Sequence, residues 1–301
     1  MKKVLVTGGA GFVGSNLIKS LLWRKEYADI QITSLDNYFT GKIENHVDDP
    51  RVKYVFGASW EVEDLFRDEE FDTVFHFGEY SRIVKSFDDV EYVSETILFG
   101  TPKVLQMCRK WGAKLIYSAS SSKFGNEGRD ENLSPYSWMK AKMVELVKNY
   151  AEWYGLKYEI CYFFNVYGPG QITEGDYATV VGIFERQFRA GEPLTVVTPG
   201  TQSRDFTHIY DVIDGVVAAA ISNQQGEWHL RSGVNVPIKE VAEMFNTEWT
   251  LIPERKGERF TSHEFPSDTE ARLNWKPTHS LKQWIDQIVE STPDRKQFKP
   301  A

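Results

Sequence analysis

The chain opens on a short apolar run at residues 4–6 and then changes period. From Phe12 onward, Val13, Leu17 and Leu21 share one helical face, with Ile18 and Leu22 beside it. This predicts a strand, a turn and a helix. Further apolar runs at 30–35, 53–58, 73–77, 114–118 and 157–166 read as strands covered on both faces, as in a parallel sheet. Helical periods at 62–67, 90–111 and 134–154 separate them. The 90–111 pattern breaks near Gly100-Thr101-Pro102; 134–154 has Ser134 as cap, Pro135 at its first position and Gly155 as stop. Such alternation predicts an α/β fold, a Rossmann-type doubly wound parallel sheet.

Past Phe164 the character changes. Glycine and proline thicken, and short runs replace the regular alternation: a helix at 178–190, strands at 194–198 and 249–252, helices at 238–245 and 281–291. A smaller mixed α/β C-terminal lobe for substrate is expected from 166–203 and 224–301. Trp228-His229-Leu230 is placed there. The first domain takes 1–165, with 204–223 and its helix returning to it. Residues 293–301 read as a polar tail.

Composition narrows the class. At 301 residues and 41% hydrophobic content the chain can bury a full core. A formal charge of −8 and a pI near 5.4 argue against a nucleic-acid partner. No run of about 18 apolar residues occurs, so no membrane partner is expected, and a cytoplasmic location is. Two cysteines, Cys108 and Cys161, offer neither ligand spacing nor a disulfide framework; both read as core residues, and no metal site is expected. His76, within an apolar strand, reads as a core histidine.

Candidate chemistry starts at the first turn. Gly8, Gly11 and Gly14 are three apart, follow a strand and open a helix, so backbone can approach a pyrophosphate lying at the helix N-terminus. Asp36 ends the second strand 22 residues past Gly14, placed to accept from a ribose 2′-hydroxyl and to repel a 2′-phosphate. NAD is therefore the expected cofactor, contacted by Gly8, Gly11, Phe12, Val13, Gly14, Asp36 and Asn37. In the 134–154 helix, Tyr136, Lys140, Met143 and Val147 share one stripe, which puts a lysine among residues that should face the sheet. Hydroxyls, Ser120 and Ser121 among them, cluster past the fifth strand.

Ser120, Tyr136 and Lys140 resemble the catalytic serine, tyrosine and lysine of the short-chain dehydrogenase/reductase family, in its extended branch acting on nucleotide sugars. Thr7-Gly8-x-x-Gly11-x-x-Gly14, Ser118-Ala119-Ser120-Ser121, Pro135-Tyr136-x-x-x-Lys140, Phe164-Asn165-Val166-Tyr167-Gly168-Pro169, Arg204-Asp205-Phe206-Thr207 and Arg255-Lys256-Gly257-Glu258 follow that family's order. The resemblance implies that Tyr136 exchanges a proton with a sugar hydroxyl, its phenolate favoured by the Lys140 ammonium and a nicotinamide cation. Ser120 would stabilise the same oxygen, and Lys140 and Tyr136 would also touch the nicotinamide ribose. Ser120, Ser121, Asn165, Arg204 and Arg255 would hold the nucleotide sugar. It further implies a homodimer through helices 90–111 and 135–154, and an NAD-dependent nucleotide-sugar epimerase, most simply at C4 through a transient 4-keto sugar. A reductase, decarboxylase or dehydratase of the same family, or a silent NAD-binding regulatory protein, are the alternatives.

The chain departs from the family pattern at several points. Ala58-Ser59 stands where many relatives have an acid for the adenine. Gly78-Glu79-Tyr80-Ser81-Arg82 replaces small apolar residues, and Lys123-Phe124-Gly125 replaces valine-tyrosine-glycine. Ser121 and Ser122 stand where the 4,6-dehydratases carry an aspartate and a glutamate.

Overall fold

The computed structural model of the protein describes residues 1–124, 130–257, 260 and 267–293. Gly125, Glu258 and residues 294–301 of the expected tail lie outside that set. The chain runs β1 (Lys3–Thr7), α1 (Phe12–Trp23), β2 (Gln31–Asp36), β3 (Val52–Phe56), α2 (Val62–Leu65) and β4 (Thr73–His76). Next come α3 (Val90–Ser94), a π-helical turn (Glu95–Phe99), α4 (Gly100–Trp111), β5 (Lys114–Ser120), α5 (Pro135–Tyr154) and β6 (Tyr158–Phe163). Then follow β7 (Asn165–Tyr167), α6 (Val180–Ala190), β8 (Leu194–Val197), β9 (Ser203–His208) and α7 (Ile209–Ile221). The last elements are β10 (Glu227–Leu230), β11 (Asn235–Pro237), α8 (Ile238–Glu243), β12 (Trp249–Ile252), α9 (Thr269–Leu273) and α10 (Leu281–Glu290).

Seven strands form a parallel sheet in the order β10-β6-β5-β4-β1-β2-β3. Alternate side chains serve opposite faces, which explains the uninterrupted apolar runs. Leu5, Val74 and Leu115 join one core with Val104, Leu105 and Val147 of α4 and α5. Val4, Val6 and Ile116 join the other, with Leu17 of α1 and Val212 of α7. A third core gathers Phe184, Val196, Val241 and Ile285 around the small sheets β11-β9-β7 and β12-β8.

Three expectations are corrected here. Trp228-His229-Leu230 is not in the second lobe: β10 pairs with β6 as the edge of the large sheet, and Trp275 packs into the same core. The anchor is Glu159, fully buried in β6, whose carboxylate accepts from Trp228 Nε1 at 2.7 Å and Gly226 N at 2.9 Å. The break expected near Gly100 is a π-helical turn at Glu95–Phe99, through which the helical path continues, and Gly100 and Thr101 just after it are buried. The strand read at 157–166 is two, because the chain leaves the large sheet at Phe164 and Asn165–Tyr167 pairs with β9.

Candidate active site

A cavity of about 340 Å³ opens at the carboxyl edge of the large sheet, where ligands bind in open α/β folds. Its cofactor side is made mainly of backbone. Gly8 adopts φ +71°, and a side chain there would meet Gly78 N at 2.8 Å; a Cβ on Gly14 would stand 2.1 Å from Gly8 O. The glycines thus let two turns and a helix close on one another. The start of α1 carries no side-chain cap, and Gly11, Phe12, Val13 and Gly14 line the cavity, leaving helix N–H groups for an anion. Asp36 is buried at the end of β2 and accepts from Ala10 N at 2.9 Å and Tyr38 N at 2.8 Å. Burial pushes its carboxyl up, against the pull of those amides. Asn37 lines the same wall and donates to Tyr92 Oη at 2.8 Å. This cradle fits a dinucleotide.

The opposite side is made of side chains. α5 starts where Ser134 Oγ accepts from Ser137 N at 3.1 Å, which sets Tyr136 and Lys140 one turn apart on the face turned to β5. Tyr136 and Ser120, at the end of β5, both line the cavity, and Ser120 is near enough to act on the phenol. Lys140 is buried and donates to Ser118 O and to Glu79 Oε2. Glu79, on the turn after β4, also accepts from Thr101 Oγ1, and from Tyr117 Oη at 3.2 Å. Behind it, His76 is buried between Thr7 at 2.7 Å and Thr101 at 3.1 Å.

The phenolate is expected to be favoured jointly by the Lys140 ammonium and a nicotinamide cation, and the protein's own groups supply only the first of these. Burial pushes Tyr136 up to about 12; the Ser120 hydroxyl and the Arg82 cation lower it, and the Glu79 carboxylate adds to the rise. The ammonium of Lys140 is answered by Glu79 before it reaches the phenol.

Ser120, Ser121, Tyr136, Lys140, Asn165 and Arg204 all line the cavity, as do the expected cofactor residues. Arg255 does not; it is exposed after β12, next to Lys256, whose ammonium lies 4.3 Å from the Phe87 ring centroid. Asp205 is committed to Ser232 N and Gly233 N, each at 2.8 Å. Two charged residues of the cavity, Glu79 and Arg82, carry no role assigned from the sequence, where the signal was a charged turn at the carboxyl end of a central strand.

A family model described as the NAD dependent epimerase/dehydratase family matches residues 4–230, and the chain belongs to that family. Its members use NAD, and the cradle above fits it. Among relatives, a putative UDP-glucose 4-epimerase of Methanocaldococcus jannaschii is 29% identical over 308 residues, covering 95% of this chain and 97% of that protein. UDP-glucuronic acid decarboxylase 1 of Arabidopsis thaliana is 26% identical, covering 97% of this chain and 70% of that one. The NAD complex of the Thermus thermophilus UDP-glucose 4-epimerase superposes with a TM-score of 0.85 at 26% identity, over 97% of this chain and 99% of the other.

Proposed function

We propose that the protein is a nucleotide-sugar 4-epimerase working through a transient 4-keto sugar. One observation carries the choice. The carboxylates among the described residues lining the cavity are Asp36 and Glu79, and both are occupied, Asp36 with backbone amides and Glu79 with Lys140. Ser121 and Ser122 follow Ser120, so among the described residues no free carboxylate stands beside Tyr136 to move a proton at a neighbouring carbon.

NAD, when bound, takes up hydride and gives it back. Tyr136 exchanges the hydroxyl proton of the reacting carbon, and Ser120 beside it stabilises the changing charge on oxygen. Lys140 orients the cofactor's ribose. Asn165 and Arg204 hold the diphosphate, where a planar guanidinium can grip two oxygens and stays charged. Arg255 joins them only at the outer end of the ligand. On this reading the enzyme is cytoplasmic and acts as a homodimer through the face of α3, α4 and α5.

A second reading, a decarboxylase, is favoured by Arg82, a cation on the cavity wall beside Tyr136 that could hold a sugar carboxylate. A panel of UDP-, GDP-, CDP- and dTDP-linked hexoses and uronic acids separates them by product mass. Two stereoisomers of unchanged mass support the epimerase. Loss of carbon dioxide from a uronic acid replaces it with the decarboxylase, and loss of water with a dehydratase.

A further inference from the structure

Glu79 is the charge in the site that the proposed reaction does not use. Its side chain is 2% exposed, and a carboxylate taken so far from water must have its charge and lone pairs answered. Lys140 answers the charge, while Thr101 and Tyr117 donate to the second oxygen, with His76 Nε2 3.7 Å away. An ammonium has three donors. Glu79 takes one and Ser118 O a second; among the described residues no hydrogen bond takes the third, the ammonium lies 4.3 Å from the Tyr117 ring centroid, and Lys140 lines the cavity.

The charges around Tyr136 come from two elements. Lys140 lies on its own helix, Glu79 and Arg82 lie on the turn after β4, and Tyr80 and Tyr177 face Arg82. Those two phenols are engaged with Asp89, at 2.7 and 2.8 Å. His76 is held neutral by burial and Tyr117 is pushed well up, so neither adds a charge near neutrality. Lys140 and Glu79 together are electrically neutral. Without Glu79, the phenol would face two cations, Lys140 and Arg82, and no anion from this group.

We infer that Glu79 is a positioning residue: it fixes Lys140 with one donor turned to the cavity and keeps Tyr136 protonated until a cation binds beside it. Ionisation of the phenol is thereby coupled to NAD binding. The inference rests on the reading that Tyr136 and Lys140 face the nicotinamide. By linkage, a cofactor that favours the phenolate is itself bound more tightly as the proton leaves, so NAD affinity rises with pH and binding releases a proton. Glu79 sets where on the pH scale this begins.

The test is calorimetric titration of NAD into protein freed of bound nucleotide, from about pH 7 to about pH 10, in two buffers of different ionisation enthalpy. Glu79→Gln keeps the one acceptor oxygen that Thr101 and Tyr117 share and loses the charge. It should begin to release the proton about one pH unit lower than the unaltered protein, and adding Tyr136→Phe should abolish the release. Glu79→Asp keeps the charge and should keep the unaltered pH profile while binding NAD several-fold more weakly. An unshifted Gln profile, or a shift that survives Tyr136→Phe, overturns the inference. If Glu79→Gln does not fold, the Asp variant decides: a profile displaced by about one pH unit with the charge intact is contrary. No sugar enters this measurement, so its failure is separate from a failure to turn over nucleotide sugars.

Discussion

Two lysine–glutamate pairs with buried carboxylates flank β5, one at each edge of the sheet. At the amino edge Lys114 meets Glu159 at 2.8 Å, and at the carboxyl edge Lys140 meets Glu79. The amino-edge pair is closed by the fold. Lys114 also donates to Ala220 O at 3.1 Å and to Ser222 O, while Glu159 accepts from Ser222 Oγ, Gly226 N and Trp228 Nε1. Its donors and acceptors thus tie the end of α7 and β10 to the sheet. The carboxyl-edge pair uses the same two residue types beside a cavity and leaves a donor for a ligand. A buried ion pair is structural or functional according to what remains unfilled around it.

The largest effect that could break this contrast is on stability. Glu159→Ala strands the Lys114 charge and the Trp228 N–H, and should cost about 3–5 kcal/mol in denaturant unfolding, while the folded protein still binds NAD. A loss under about 1 kcal/mol would deny the amino-edge pair its role. Next is chemistry at the other edge. Tyr136→Phe should lower turnover of an accepted nucleotide sugar by about 10² or more, with unfolding free energy changed by no more than about 0.5 kcal/mol. Unchanged turnover removes Tyr136 from the mechanism.

Asp36→Ala should narrow the preference for NAD over NADP by about tenfold in direct binding, because the carboxylate accepts from the ribose and repels a 2′-phosphate. Preferred NADP binding by the unaltered protein would contradict this. The smallest effect is titration of the hydrogen-bonded layer behind Glu79. Burial holds His76 at about 4, below the ordinary histidine value. Between that value and about 6.5 the unfolded chain binds the proton more readily than the native one, so stability falls as pH drops through this window. His208 and His229, also drawn down by burial to about 4, act the same way. His76→Asn should therefore flatten only part of the acid slope in melting midpoint; an unaltered slope would exclude His76 as a contributor.

Most of the fold was legible because periodicity is a local signal. The apolar runs of β1, β2, β4 and β5 and the stripe on α5 each declare their environment within a few residues. What was missed depends on partners far apart in sequence. β10 is only Glu-Trp-His-Leu, and its place follows from a bond between Trp228 and Glu159, 69 positions away. Gly100-Thr101-Pro102 reads as a breaker, yet Thr101 is buried against Glu79. Glu79 itself reads as one more loop charge. Its partners Thr101, Tyr117 and Lys140 lie 22, 38 and 61 positions off, and only the fold brings them to one point. Tyr136, Lys140 and Asp36 were legible because their spacing within a helix or from a glycine turn is itself the signal.

The central claim is that the carboxyl-edge network works on one carbon, removing its hydrogen as hydride and returning the same hydrogen. Running the reaction with an accepted nucleotide sugar in deuterated water tests this directly, with nuclear magnetic resonance reading the inverted carbon. That carbon should keep its original hydrogen in both stereoisomers, and Tyr136→Phe should yield almost no second isomer in the same time. Deuterium at the inverted carbon would show that its hydrogen leaves as a proton, a chemistry in which Tyr136 and Lys140 do not hold the roles assigned to them.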